Sequence, residues 1–304
     1  MSILTPHIAA ALFDTPLMIA PDKAAAMLMG LGGRVVDGGV VLVNPPSAEL
    51  PAVARQSAGI VSDRLSPALD RHRQRGYDVV DDIAVIAVEG SLVQKGSWIG
   101  QSSGQTSYQG LQVQITRALK DSSLKAAVVE VDSLGGQVSG AFETADLLHQ
   151  LSRKMPTMAI LTDTAASAGY LQASQCRQVV MPASGAAGSI GVISLHVDVS
   201  AKADREGVKV TLITAGEHKA DGNPFEPLND EFAATLRSRN EATRQAFAAT
   251  VARGRGARLT KAQALATEAR VYFGKDAVAK GLVDAIAPAA AAFAAFSKAV
   301  HSAA

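Results

Sequence analysis

Three largely apolar runs of strand length punctuate the chain: Ile83 to Val88 (IAVIAV), Ala126 to Val131 and Thr157 to Leu161. The first is apolar at every position, which predicts a strand buried on both faces of a sheet, and the other two, interrupted only by Glu130 and opened by Thr157, read as strands beside it. Between the first two, Tyr108 to Leu119 places Leu111, Val113, Ile115, Ala118 and Leu119 so as to predict a helix with one buried face, broken by Asp121 and Ser122. Ala141 to Leu151 and Gly169 to Cys176 read as further helices, so strand and helix alternate and a largely parallel sheet follows. Val179 to Met181, Ser189 to Ser194 and Lys209 to Ile213 are further strand candidates, and Asp230 to Arg253 is a long helix with a polar face. Glu89, Gly90 and Ser91 read as a turn closing the first strand. Asp132 to Gln137 (DSLGGQ) reads as a tight turn between the second strand and its helix.

Ahead of this repeating region, residues 1 to 78 read as an arm and linker. They hold a helical pattern at Asp22 to Leu31, a strand-like VVDGGVVLV from Val35 to Val43, prolines at 45, 46 and 51, and the charged stretch Asp63 to Tyr77. The main domain is expected over residues 79 to 287, with an alanine-rich tail at 288 to 304 interrupted by Pro288 and Lys298. Gly96 to Thr106, rich in glycine and serine, reads as a mobile loop.

Composition narrows the function. With 304 residues, 48% of them hydrophobic, the chain buries a substantial core. Its 29 basic and 28 acidic residues leave a net charge of +1, which gives no attraction to nucleic acid or an anionic membrane. The single cysteine, Cys176, makes neither an internal disulfide nor a cysteine-rich metal site. No secretion signal is read at the start and no run reaches the length of a spanning helix, so a soluble cytoplasmic protein is expected. The six histidines form no metal-binding pair at helical spacing and no G-x-G-x-x-G occurs, so neither metal nor cofactor is expected.

The strongest chemical signal lies in Ile160 to Ser174, ILTDTAASAGYLQAS, where an apolar run ends in small residues and a helical pattern follows. This strand–turn–helix would hold Ser167 at the mouth of a sheet with the next amide free, although small residues there also serve close packing. Gly135 and Gly136 would leave backbone amides open to an anion or a developing oxyanion, or simply make a tight turn. A nucleophilic serine needs a base, and Ala215 to Asp221 (AGEHKAD) offers two. Lys219 requires a water-poor cleft that favours its neutral form; His218 requires an orienting acid, and none is indicated in the sequence.

Four segments in order, DSLGGQVSG at 132 to 140, TAASAGYLQAS at 164 to 174, GSIGVIS at 188 to 194 and GEHKADGNPFEPL at 216 to 228, resemble the signal peptide peptidase A family of serine proteases. A fifth, RVYFGKDAVAKGLVD from Arg270 to Asp284, is similar to that family's closing segment. The resemblance implies an α/β Clp protease/crotonase-like fold of repeated β-β-α units, carrying an N-terminal arm. It implies Ser167 as nucleophile, Lys219 as general base and Ser189 as a hydroxyl holding the lysine, with an oxyanion hole from Gly135 or Gly136 and from Ala168. Leu134 departs from the family's usual proline before the glycine pair, which puts the exact oxyanion donor in question. The opening TPHIAAALFDTPLMIAP and the run GEHKADGNPFEPLND look most like the lambda-type phage capsid assembly proteases, so scaffold, portal and capsid proteins are implied partners and a homo-oligomer is expected.

Other readings remain alongside this one. A soluble bacterial relative degrading peptides would share the site. A histidine triad would use His196 or His218, an assembly protein on the same fold would have lost activity, and crotonase-like acyl-CoA chemistry would need neither Ser167 nor Lys219.

Overall fold

The computed structural model describes residues 16–19, 76–95 and 104–302, and the expectations for Asp22 to Leu31, Val35 to Val43 and the charged stretch up to residue 75 lie outside them. The apolar runs form the middle of a mixed sheet whose main path is β10-β7-β6-β5-β3-β2. Here β2 is Asp78–Val80, β3 Ile83–Val93, β5 Ala126–Gln137, β6 Thr157–Ala166, β7 Gln178–Met181 and β10 Ala285–Ile286. The pairs β3–β5, β5–β6, β6–β7 and β7–β10 are parallel, as alternating strands and helices demand, and only the short hairpin β2–β3 on this path is antiparallel. Off the path, β1 (Leu17–Ile19) pairs with β5 and β4 (Gln105–Ser107) with β3; β8 (Ala186–Gly188) pairs with β6 and β9 (Val271–Phe273).

The helices follow from their caps and stripes. α1 (Tyr108–Lys120) starts where the Ser107 side chain accepts from the Gly110 amide, buries Leu111, Ile115 and Ala118, and ends at Asp121. α2 (Ala141–Lys154) buries Ala141, Ala145, Leu148 and Leu151 at helical spacing, and α3 (Ala168–Ala173) is a single buried helix of six residues. Further on come α4 (Ser200–Arg205), α5 (Asp230–Arg255), α6 (Lys261–Ala266), α7 (Gly274–Ala279) and α8 (Ala289–Ser302). The alanine-rich end is thus helical. Its Ala289, Ala292, Phe293, Phe296 and Val300 cluster with Ile83, Val85, Val128, Ile160 and Val180, alternate residues of four strands. Each buried phenylalanine there contributes about 1.5–3 kcal/mol of transfer free energy.

Chain contacts divide the described residues into two units, one of 16–17 and 192–243 and the other of 18–19, 76–95, 104–191 and 244–302. The larger holds the sheet and α1 to α3. In the smaller, Leu17 and Ile193 exchange two backbone hydrogen bonds of 2.8 and 2.9 Å, and α4 and a 3₁₀ turn at Glu217–Ala220 precede α5.

Several local expectations are corrected. Glu89, Gly90 and Ser91 do not close β3: the strand runs on to Val93 with a register shift between Glu89 and Ser91. Nor is DSLGGQ a βα turn at a helix N-terminus, because β5 continues through Gln137 and its helix begins at Ala141, after Gly140 in the left-handed conformation. Both glycine stretches pair with each other, Ser91 beside Gly135 and Leu92 beside Gly136. A methyl group on Gly136 would lie 1.9 Å from the Leu92 carbonyl oxygen, so the glycine serves close strand approach and not chain reversal. Ser189 to Ser194 carries only the isolated bridge at Ile193, while the neighbouring strand is β8. Lys209 to Ile213 is no strand either. Without a ladder among the described residues its alternation leaves Val208, Val210, Leu212 and Ile213 exposed, Ile213 at 94%. Part of the expected loop, Gln105 to Thr106, is strand β4; residues 96–103 lie outside the described set.

Candidate active site

The last three residues of β6, Thr164 to Ala166, pair with β8, and the next amide, that of Ser167, donates to the Gly188 carbonyl at 2.8 Å. There the chain turns sharply. Ser167 has φ 54° and ψ −123°, a backbone conformation that L residues rarely occupy, and its carbonyl accepts the Leu171 amide at 2.9 Å as α3 begins. The small neighbours are a steric requirement: Ala165, Ala166 and Ala168 are fully buried, and a methyl group on Gly169 would lie 2.7 Å from the Ser133 carbonyl oxygen. The turn expected within Ile160 to Ser174 is therefore observed, with Ser167 at its apex.

Two sets of contacts hold α3. Tyr170 Oη donates to the Leu282 carbonyl at 2.8 Å, and Gln172 Nε2 donates to the Ala141 carbonyl at 3.0 Å. Gln175 Nε2 reaches the Thr250 carbonyl at 3.1 Å and Ser174 Oγ at 2.8 Å. Burial pushes the Tyr170 phenol well above its ordinary range, so it remains a neutral donor. Behind this layer Arg255, fully buried, forms a bidentate pair with Asp284 at 2.8 and 3.0 Å and donates Nε to the Gly281 carbonyl at 3.0 Å. None of these anchors was legible beforehand. Their partners are far apart in sequence, and Arg255 reads as one more charge on a solvated helix.

Facing Ser167 is the end of β5. Ser133 Oγ donates to the Gly90 carbonyl at 2.7 Å and accepts the Gly135 amide at 3.1 Å, so that amide already has a partner. Gly135 has φ 97°, and a methyl group on it would meet Ser167 Cβ at 2.9 Å and the Ala168 nitrogen at 3.0 Å. As the first helical residue, Ala168 has an amide with no carbonyl four residues earlier in the helix to receive it. Ser189 is buried directly after β8 at φ 55°, its amide donating to the Arg270 carbonyl at 3.0 Å. The larger unit thus brings Ser167, Ala168 and Gly135 together, whereas Gly136 faces Leu92 of β3, and Ser189 follows the residue whose carbonyl holds the Ser167 amide.

Lys219 belongs to the smaller unit, exposed on the turn Glu217–Ala220, with its amide donating to the Gly216 carbonyl at 3.2 Å. Beside it, His218 Nδ1 lies 3.0 Å from Asp221 Oδ2. The histidine therefore has the acid that the sequence did not indicate, three residues on and brought round by the 3₁₀ turn. At the ends of β5 and β6, burial and the neighbouring Asp163 raise the pKa of Asp132, against a hydrogen bond from the Thr164 backbone. Ser167 Oγ itself is buried and makes no hydrogen bond. No group of three or more potential metal ligands occurs among the described residues.

A strained serine at a strand–helix turn, with the first amide of a helix behind it and a glycine opposite, is the kind of site that carries out acyl transfer through a serine. The chain belongs to Peptidase family S49, which it matches over residues 149–302. It is 35% identical over 280 residues to Capsid assembly protease C of Escherichia phage lambda, covering 92% of this chain and 62% of that protein. To the Head-tail preconnector protein GP5 of Enterobacteria phage P21 it is 33% identical over 300 residues, covering 97% and 58%. The chain spans about three-fifths of the length of these two relatives. Among solved structures, it is similar to a membrane-bound stomatin-specific protease in complex with a substrate peptide, at 15% identity and a TM-score of 0.40 over 67% of this chain and 74% of the other. No helix among the described residues is long and apolar enough to cross a membrane.

Proposed function

We propose that this chain is a serine endopeptidase that cleaves scaffold and portal-associated proteins during assembly of a phage prohead, inside the host cytoplasm. The observation that carries the reading is Ser167, a buried serine in a strained conformation at the end of β6, beside Gly135 and Ala168. Ser167 Oγ attacks the substrate carbonyl carbon, and Lys219, in its neutral form, takes the hydroxyl proton and returns it to the departing amine. Ser189 orients the lysine. The Ala168 amide stabilises the oxyanion together with Gly135 or Gly136; Gly135 would first have to give up Ser133 Oγ. Water then attacks the acyl-enzyme and frees the second product. Partners follow from the phage relatives, and the exposed Val208, Val210, Leu212 and Ile213 supply an apolar surface for homo-oligomerisation.

The contact between His218 and Asp221 favours one second reading, a histidine base in place of the lysine. Cleavage of a capsid-scaffold substrate by wild type, Ser167→Ala, Lys219→Ala and His218→Ala separates the two. Loss in the first two variants with retention in the third supports the serine–lysine pair, and loss in His218→Ala with retention in Lys219→Ala supports the histidine. Retained cleavage in Ser167→Ala overturns both.

A further inference from the structure

The nucleophile turn is closed to solvent. Ser167 has no exposed surface and its Oγ touches no hydrogen-bond partner, so a peptide arriving from solution has no path to it in this conformation. Close beside it lies β1. Met18 and Ile19 are buried, at 0% and 4% exposure, and β1 pairs with β5. The position a methyl group would take on Gly135 lies 2.1 Å from the Met18 carbonyl oxygen, 2.9 Å from Ser167 Cβ and 3.0 Å from the Ala168 nitrogen. A main-chain carbonyl of an extended segment therefore stands across one absent methyl group from the serine and from the first amide of α3.

Sheet geometry explains why an extended segment fits there. The register of β6 along β5 ends at Ser133 beside Ala165, where β6 gives way to the turn at Ser167. The glycine end of β5 continues beyond that point, paired with β3 through Ser91 and Leu92, and β5 also pairs with β1. Where β6 has turned away, β1 adds to β5 as a strand, the way extended peptides bind sheet edges. Met18 brings a flexible, polarizable side chain that fills an irregular apolar site.

We infer that Met18–Ile19 is a resident strand occupying the groove meant for substrate, which keeps the site latent until it is displaced. The inference rests on Ser167 being the nucleophile. The groove accordingly takes an extended peptide with a large unbranched apolar residue at the position Met18 holds. Since only the fraction of molecules with the groove empty reacts, releasing the strand raises the apparent rate in proportion to that fraction.

Full-length wild type, Met18→Leu, Met18→Ala and Met18→Asp test this, with the rate of Ser167 labelling by a small fluorophosphonate and cleavage of casein as readouts. Met18→Ala and Met18→Asp are expected to label and cleave at least about tenfold faster than wild type, and Met18→Leu at the wild-type rate. The hexapeptide Thr-Pro-Leu-Met-Ile-Ala should slow labelling of Met18→Ala competitively, while a scrambled hexapeptide should not. If Met18→Asp unfolds by circular dichroism, Met18→Ala with the peptide carries the test. Equal labelling and cleavage in all folded forms overturns the latent strand and leaves the peptidase standing. Absence of labelling and cleavage in every form, with native circular dichroism, overturns the serine reading and the resident strand with it.

Discussion

Substituting Asp284 by asparagine should be among the most damaging single-atom changes in the molecule. The carboxylate accepts two hydrogen bonds from Arg255 at 2.8 and 3.0 Å, two contacts from Arg258 at 3.1 Å and the Val179 amide at 2.7 Å. Arg255 is fully buried, so in Asp284→Asn its guanidinium keeps its charge with no countercharge and faces an amide NH₂. Removing one partner of a buried pair costs about 3–5 kcal/mol, while the half-exposed Arg258 contact adds only about 0–1 kcal/mol. A fall in melting temperature of roughly 10 °C follows at about 2–4 °C per kcal/mol for a domain of this size. Arg255→Met should cost less, because Asp284 keeps Arg258 and the Val179 amide. Asp284→Leu combined with Arg255→Met should recover much of the loss, since no buried charge then remains unpaired. Calorimetry and urea unfolding of the three variants check this. A loss under about 1 kcal/mol in Asp284→Asn, or a double variant no better than it, would refute the idea that the buried charge decides the outcome.

The pH dependence of the same pair has a definite sign. Burial pushes the Asp284 carboxyl up, but hydrogen bonds and charge from Arg255, with the Val179 amide and Arg258, more than offset it and hold the group below its ordinary value. A carboxyl depressed in the folded state stabilises fully above its unfolded pKa of about 3.9 and loses that contribution as pH falls through the folded value, so the wild type should lose stability relative to Asp284→Leu/Arg255→Met only below about pH 4. Ser167→Ala, which removes a buried hydroxyl without a partner, should abolish cleavage yet raise unfolding free energy by about 1 kcal/mol; a destabilised variant by urea titration would contradict this. Gly135→Ala should lose fluorophosphonate labelling, since its methyl group has no room beside Ser167 Cβ and the Ala168 nitrogen and its φ of 97° resists any L side chain; labelling at the wild-type rate would count against the site geometry. The Cys176 thiol, pushed up to about 12 by burial, should ignore iodoacetamide in the native protein and react on unfolding, as mass spectrometry would record.

Most of the sheet was legible because the first halves of its central strands are apolar at nearly every position, and Ser167 stood out because apolar residues give way abruptly to small ones before a helical pattern. What misled was glycine. Gly90, Gly135 and Gly136 read as chain reversal, whereas each lies within a strand at a close approach, Gly136 to Leu92 of β3, Gly90 to Gly104, and Gly135 to Met18 and Ser167. At Lys209 to Ile213 alternation alone suggested a strand, but a strand exists only where another supplies its hydrogen bonds, and that partner cannot be read from the segment itself. Arg255 with Asp284 and Tyr170 with Leu282 were illegible for a related reason: each contact spans a long stretch of chain, and neither residue type signals burial.

That long reach affects when the site can exist. Leu282, which receives the Tyr170 hydroxyl, follows it by 112 residues, and Asp284 follows Arg255 by 29. During synthesis, when domains fold as they leave the ribosome, α3 cannot gain these anchors until the closing segment has emerged. Ser167 is thus made early and set in place late, so a truncated or still-growing chain lacks the support that fixes its reactive turn.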